Sequence, residues 1–140
     1  MTIVGFNFNR IDVERKKSSG GKINISNNVA IKDVVDTDLS LGSETQKAVK
    51  FEFEFVSKYD PNIGKILLGG DVLFLASKDK TKAILDNWKK SKKVDKDLMS
   101  NILNTVLTKS NVQALILSQE VNLPSPMPLP KVQIDTPKEK

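Results

Sequence analysis

Hydrophobic and polar positions alternate most cleanly in the stretch KAVKFEFEFVSK. There Val49, Phe51, Phe53 and Phe55 share one parity, and Lys50, Glu52 and Glu54 share the other. A period of two over this length predicts a β-strand with one buried and one wet face. Earlier in the chain Val4, Phe6 and Phe8 share a parity, but Ile11 and Val13 take the opposite one. A slip of one residue inside a strand over residues 3–14 predicts a β-bulge near Asn9 and Arg10. Residues 22–36 alternate again through Ile23, Ile25, Val29 and Ile31, whose branched side chains suit a pleated surface. A fourth strand is expected over residues 65–76. Its apolar residues fall on both parities: Ile66, Leu68, Val72 and Phe74 on one, Leu67, Leu73 and Leu75 on the other. Such a strand is expected to be covered on both faces. Gly69 and Gly70 within it predict a bulge or a close backbone approach.

Polar turns separate these segments. RKKSSGG, residues 15–21, ends in glycines, and Tyr59-Asp60-Pro61-Asn62 has the composition of a tight turn. Residues 37–46, TDLSLGSETQ, read as a longer polar connection in which Leu39 and Leu41 are more apolar than a loop requires.

From about residue 80 the apolar period lengthens to that of a helix. A first helix is expected over residues 80–90, capped by Ser77 or Asp79, with Ala83, Ile84, Asn87 and Trp88 as its inward stripe. A second is expected over residues 96–118, capped by Asp95. Leu98, Met99, Ile102, Leu103, Val106 and Leu107 form its stripe, continued by Val112, Leu115 and Ile116 beyond a bend at Ser110 and Asn111. At about 1.5 Å per residue it would be some 35 Å long. A helix of that length is expected to lie across a sheet or pack against a copy of itself. We assign Ile102, Leu103, Val106 and Leu107 as the interface of a homo-oligomer, a dimer or tetramer. The last segment alternates Pro124, Pro126, Pro128 and Pro130 with other residues. Proline lacks an N–H and restricts its predecessor, so an extended path is expected. Leu123, Met127, Leu129 and Val132 would anchor it as a docked strap. The elements together predict an α+β fold: a four-stranded antiparallel sheet, two helices on one face with the second long, and a proline-rich C-terminal strap. One domain is expected over residues 1–134, with 135–140 as a frayed polar tail.

The residue inventory restricts the chemistry. The 140 residues include no cysteine and no histidine, which removes thiol and imidazole nucleophiles, bases and metal ligands. Asp12, Glu14, Glu52 and Glu54 read as a wet sheet face, not a catalytic pair. Gly69-Gly70 is followed by Asp71 and more strand, so it lacks the lysine and hydroxyl of a phosphate cradle. No enzyme activity, cofactor or metal is expected. The net charge is +5, and its excess sits in the segment that begins with Lys78 and ends at Asp97, with eight lysines and four aspartates. Lys89, Lys90, Lys92 and Lys93 cluster there with Trp88 as the only aromatic. Two arginines in the chain argue against specific base and phosphate reading. No apolar run approaches the roughly 20 residues of a membrane span, and the alternating N-terminus reads as a strand and not a signal peptide. A cytoplasmic protein is expected.

Two stretches carry a resemblance to a known family. KILLGGDVLFLAS, with Gly69, Gly70 and Phe74, is similar to the fourth strand of SecB export chaperones. NILNTVLTKSNVQALILSQEVNLPSPMPLPKV, with Asn122, Leu123 and Pro124, resembles that family's long helix and the leucine- and proline-rich strap after it. The basic charge departs from the acidic SecB pattern, which leaves docking to a translocase motor without support. The resemblance implies a chaperone or holdase that keeps unfolded polypeptide clients soluble, as in protein transport, and that assembles as a dimer of dimers. It implies a client groove beside the sheet, to which we assign Leu39, Leu41, Leu73, Phe74 and Leu75. The alternatives are a structural or assembly subunit without clients, and a weak nucleic-acid binder using the lysines from Lys78 to Lys96.

Overall fold

The computed structural model describes residues 2–16 and 22–126 of the chain. Four strands precede two helices: β1 Thr2–Arg15, β2 Asn24–Leu41, β3 Glu44–Asp60, β4 Gly64–Leu75, α1 Lys78–Ser91 and α2 Lys96–Glu120. All strand pairs are antiparallel, and the sheet order is β1-β4-β3-β2. The two long chain-adjacent hairpins place β3 in the middle, while β1 reaches its partner β4 from the other end of the sequence.

The alternating pattern of β3 does what its period requires. Val49, Phe51 and Phe55 are fully buried and Phe53 is 3% exposed. They meet Phe74, Val72, Leu68 and Gly70 across the β3–β4 register. Both helices cover this face. An upper core joins Phe51, Phe53, Val72 and Phe74 to Ile84 and Trp88 of α1 and to Leu98, Ile102 and Val106 of α2. A lower core joins Phe55, Tyr59, Ile66 and Leu68 to Ala114 and to Leu123 beyond the helix. The inward positions of α2 are Leu98, Ile102, Val106, Ser110, Ala114 and Ser118, four residues apart throughout. Large side chains lead this row and small ones end it, so the bulky Phe55 and Tyr59 fit under its second half.

The glycines of β4 serve a bulge and a close approach at once. The β1–β4 register slips between Phe8 and Arg10, opposite Gly70 and Gly69. A Cβ on Gly70 would overlap the Asn7 carbonyl and come within 2.9 Å of Phe8 Cα. The bulge read from the parity of β1 is thus present where Asn9 stands.

Several expectations need correction. Residues 37–46 are not a connection: β2 and β3 pair as far as Leu41 and Glu44 and turn through Gly42 and Ser43. Gly42 has φ +67°, the positive value that two-residue hairpin turns demand and glycine supplies. The Gly-Ser pair was the signal, hidden by the polar residues of a solvent-facing ribbon. On α1 the inward side chains are Thr81, Ile84 and Trp88, whereas Ala83 and Asn87 are exposed. The helix therefore rolls by about a sixth of a turn from the expected stripe. Its cap is Ser77, whose side chain accepts from Lys80 N at 3.3 Å. Asp95 caps α2 as expected, accepting from Leu98 N, and the helix continues without interruption through Ser110 and Asn111. Finally, no second layer covers the other face of β4 among the described residues.

The strap begins as a docked segment. Leu123 is 6% exposed and its N–H donates to Ser118 O at 2.8 Å. Tyr59 Oη donates to Pro124 O at 2.6 Å, and Asn27 Nδ2 donates to Pro126 O at 2.9 Å. Asn27 in turn accepts from the buried Ser57 Oγ at 2.6 Å. Met127, Leu129 and Val132, assigned as further anchors, lie outside the described residues.

Candidate functional site

The helices leave one face of the sheet open, and the register shows what stands on it. At one end lie Leu67 beside Val56 and Asp12, with Lys65 beside Lys58 and Glu14. A charged band follows, formed by Glu54, Glu52 and Asp71 with Arg10 at its edge. Lys32, bulged out of β2, pairs with Glu54 at 3.6 Å. The carboxylates Asp12, Glu14, Glu52 and Glu54 all belong to this wet face, as the alternation implied. Among the described residues no group of His, Cys, Asp or Glu has metal-binding geometry.

Beyond the charged band the face turns apolar. Leu73 stands opposite Lys50 on one side and Gly5 on the other, and Lys50 stands opposite Val35. Leu75 pairs with Thr2. The fully buried Ala48 pairs with Thr37, and Leu39 with Gln46. Leu39, Val35, Leu73 and Leu75 are each partly exposed. Gly5 leaves room for Leu73: a Cβ there would stand 3.1 Å from Leu73 Cδ1. These apolar side chains stand on β2, β3 and β4, and Leu73 and Leu75 lie against β1 at Gly5 and Thr2. Among the described residues neither outer strand has a partner beyond the sheet, so each offers backbone donors and acceptors along an edge.

Of the five residues assigned to a groove, the structure brings Leu39, Leu73 and Leu75 to this face. Leu41 ends β2, and its side chain lies outside the described ones. Phe74 does not belong: strand alternation turns it to the helix side, where it is 3% exposed and meets Phe51 edge-on with centroids 6.3 Å apart. Val35, Ala48 and Gly5 were missed. The parity of Val35 is legible in the sequence, but its neighbourhood with Leu73 depends on the pairing of strands.

The four α2 residues assigned to an oligomer interface also divide. Ile102 and Val106 are fully buried against their own sheet, so they cannot meet another copy. Leu103 and Leu107 are half-buried, and Leu107 packs on the lower core. The outward apolar residues of α2 are instead Val112 and Ile116, 58% and 48% exposed and one turn apart.

The lysine-rich segment offers no base-stacking platform. Trp88 is 7% exposed, and its Nε1 donates to Asp33 Oδ1 at 3.1 Å. Lys92 caps α1 in the left-handed conformation and holds its Nζ 5.4 Å from the Trp88 ring centre. Elsewhere Lys47 bonds to Asp36 and lies beside Asp38, which pushes its pKa above the ordinary lysine value. Tyr59 is pushed up to about 12 by burial.

No helix among the described residues is long and apolar enough to cross a membrane. No protein-family model matches the chain, and no curated protein matches it. Among solved structures it is similar to a SecB-like chaperone from Mycobacterium tuberculosis in complex with a ChAD peptide from an antitoxin. The identity is 9% and the TM-score 0.43, over 97% of this chain and 91% of that one.

Proposed function

We propose that the protein is a SecB-like holdase that captures exposed apolar polypeptide on the helix-free face of its sheet. The observation that carries this reading is the apolar patch of Leu39, Val35, Leu73 and Leu75, set between a charged band and the unpaired edges of β1 and β2. An extended client strand can add to either edge through backbone bonds and lay alternate side chains onto the patch. The affinity is then indifferent to client sequence, because main-chain groups and generic apolar contact supply it. No step of chemistry is needed, and none is assigned.

Suppression of aggregation of a chemically denatured client, followed by light scattering, tests this. The wild-type chain is expected to suppress it, and the Leu73→Ser, Leu75→Ser double variant to lose most of that effect. Both leucines are only partly buried, so each substitution costs about 1–2 kcal/mol of stability, and an unfolding curve of the variant checks that the fold is kept. A wild-type chain that leaves scattering unchanged overturns the proposal. A second reading, an assembly subunit without clients, is favoured by the exposed Val112 and Ile116. It requires a stable homo-oligomer by sedimentation together with no client protection. The nucleic-acid reading loses its stacking candidate, since the only tryptophan is committed to Asp33.

A further inference from the structure

The β2–β3 hairpin overshoots the rest of the sheet. The last pair between β3 and β4 is Val49 with Phe74, whereas β3 begins at Glu44. Residues 44–47 of β3, all exposed, therefore carry no strand on their β4 side, and backbone groups that point that way have no ladder to join. The chain leaves β4 at Leu75 and enters α1 at Lys78, which brings α1 alongside this vacant edge. Between the two lies a cleft of about 770 Å³. That volume is within the roughly 300–1,000 Å³ usual for ligand sites.

One stripe of α1 faces it. Lys78, Lys82, Leu85 and Lys89 line the cleft at helical offsets of 0, 4, 7 and 11, which fall within about 60° of one another. None of the three lysines has an acidic partner among the described residues, whereas Lys47 across the cleft is held by Asp36 and Asp38. Thr81 also lines the cleft; it is 6% exposed, and its buried Oγ1 has no hydrogen-bond partner. A buried hydroxyl left unpaired is costly, so a ligand that reaches it gains an interaction that folding alone leaves unmade.

We propose that this cleft binds an extended acidic segment of another polypeptide, added as a strand to the vacant edge of β3 at residues 44–47. Its backbone pairs with that edge, its carboxylates meet Lys78, Lys82 and Lys89, and an apolar side chain rests on Leu85. A polynucleotide fits less well. No aromatic side chain lines the cleft, so bases would have nothing to stack on. The site borders the open sheet face at Gln46 but is lined by neither Leu73 nor Leu75, and it does not rest on the holdase reading.

The probe is a short fluorescent peptide that alternates Asp with Leu, its binding followed by anisotropy. Three comparisons accompany it: the Asn–Leu counterpart, the same Asp–Leu peptide with N-methylated amides, and a single-stranded oligonucleotide. The Asp–Leu peptide is expected to bind, weaken as salt rises and outcompete the oligonucleotide. The Asn–Leu and N-methylated peptides are expected to bind at least about fivefold more weakly. Lys82→Glu with Lys89→Glu should weaken the Asp–Leu peptide by about tenfold or more, with only a small fall in the unfolding midpoint, because both side chains are exposed and Lys89 lies in the last turn of α1. The Leu73→Ser, Leu75→Ser variant should bind it as the wild-type chain does. Equal binding of the N-methylated peptide, no effect of the lysine reversals, or preference for the oligonucleotide overturns the proposal. So does loss of binding in the leucine variant, which would put the peptide on the sheet face.

Discussion

Removing everything after Leu123 tests whether the strap holds the lower core together. The described part of the strap includes two bonded carbonyls and one buried ring. Pro124 O accepts from Tyr59 and Pro126 O from Asn27, and Pro126 itself is buried. Each hydrogen bond is worth about 1 kcal/mol net, and burial of the proline ring adds about another. A chain ending at Leu123 should therefore lose about 2–3 kcal/mol. With a urea m-value of about 1–3 kcal/mol/M, its unfolding midpoint falls by roughly 0.7–3 M. The loss has a second signature, because Ser57 bonds to Asn27 and Asn27 to the strap. Tyr59→Phe should cost about 1 kcal/mol in the full chain and clearly less in the truncated one, since its acceptor is then gone. Urea unfolding of the four chains, followed by tryptophan fluorescence, gives the cycle. An unchanged midpoint on truncation, or full additivity of the two changes, refutes the reasoning.

Two further outcomes follow from the same packing. Gly70→Ala should destabilise the chain by more than about 2 kcal/mol by thermal or urea unfolding, because its Cβ would meet the Asn7 carbonyl and not a flexible side chain; Gly69→Ala, whose nearest neighbour is 3.6 Å away, should cost far less. The Tyr59 phenol, pushed up to about 12 by burial, favours the neutral form in the folded chain. Its contribution is complete below about pH 10, the unfolded value, and about 2–3 kcal/mol of stability is lost as pH rises from 10 to 12. Tyr59→Phe should flatten that slope in unfolding midpoints measured across the range.

The sequence made some of this legible and hid the rest for physical reasons. The phenylalanine ladder of β3 and the four-residue row of α2 stand out because burial on one side imposes a strict period. The β1 bulge was visible as a change of parity. The β2–β3 hairpin was not, because a ribbon that overshoots its neighbours faces water on both edges and keeps polar residues where a central strand could not. Phe74 was misplaced for the opposite reason. A strand apolar on both parities gives no sign of which face is core, and only its pairing with Val49 and Ile3 decides it. Ile102 and Val106 were assigned outward because a long amphipathic stripe looks the same whether a sheet or a second copy covers it.

The strand order carries a consequence for how the chain is made. Among the described residues β1 pairs only with β4, so Phe6 and Phe8 wait for residues that a ribosome adds much later. At about 5–20 residues per second, the sixty or so residues between Arg15 and Leu75 take roughly 3–12 s to appear. The β2–β3 hairpin closes a two-residue turn and can form in microseconds once it emerges. The nascent chain thus completes its middle while its first strand is still unmatched and apolar. A protein proposed to shelter unpaired strands begins its own life as one, and how it fares in those seconds depends on whatever holds β1 before β4 arrives.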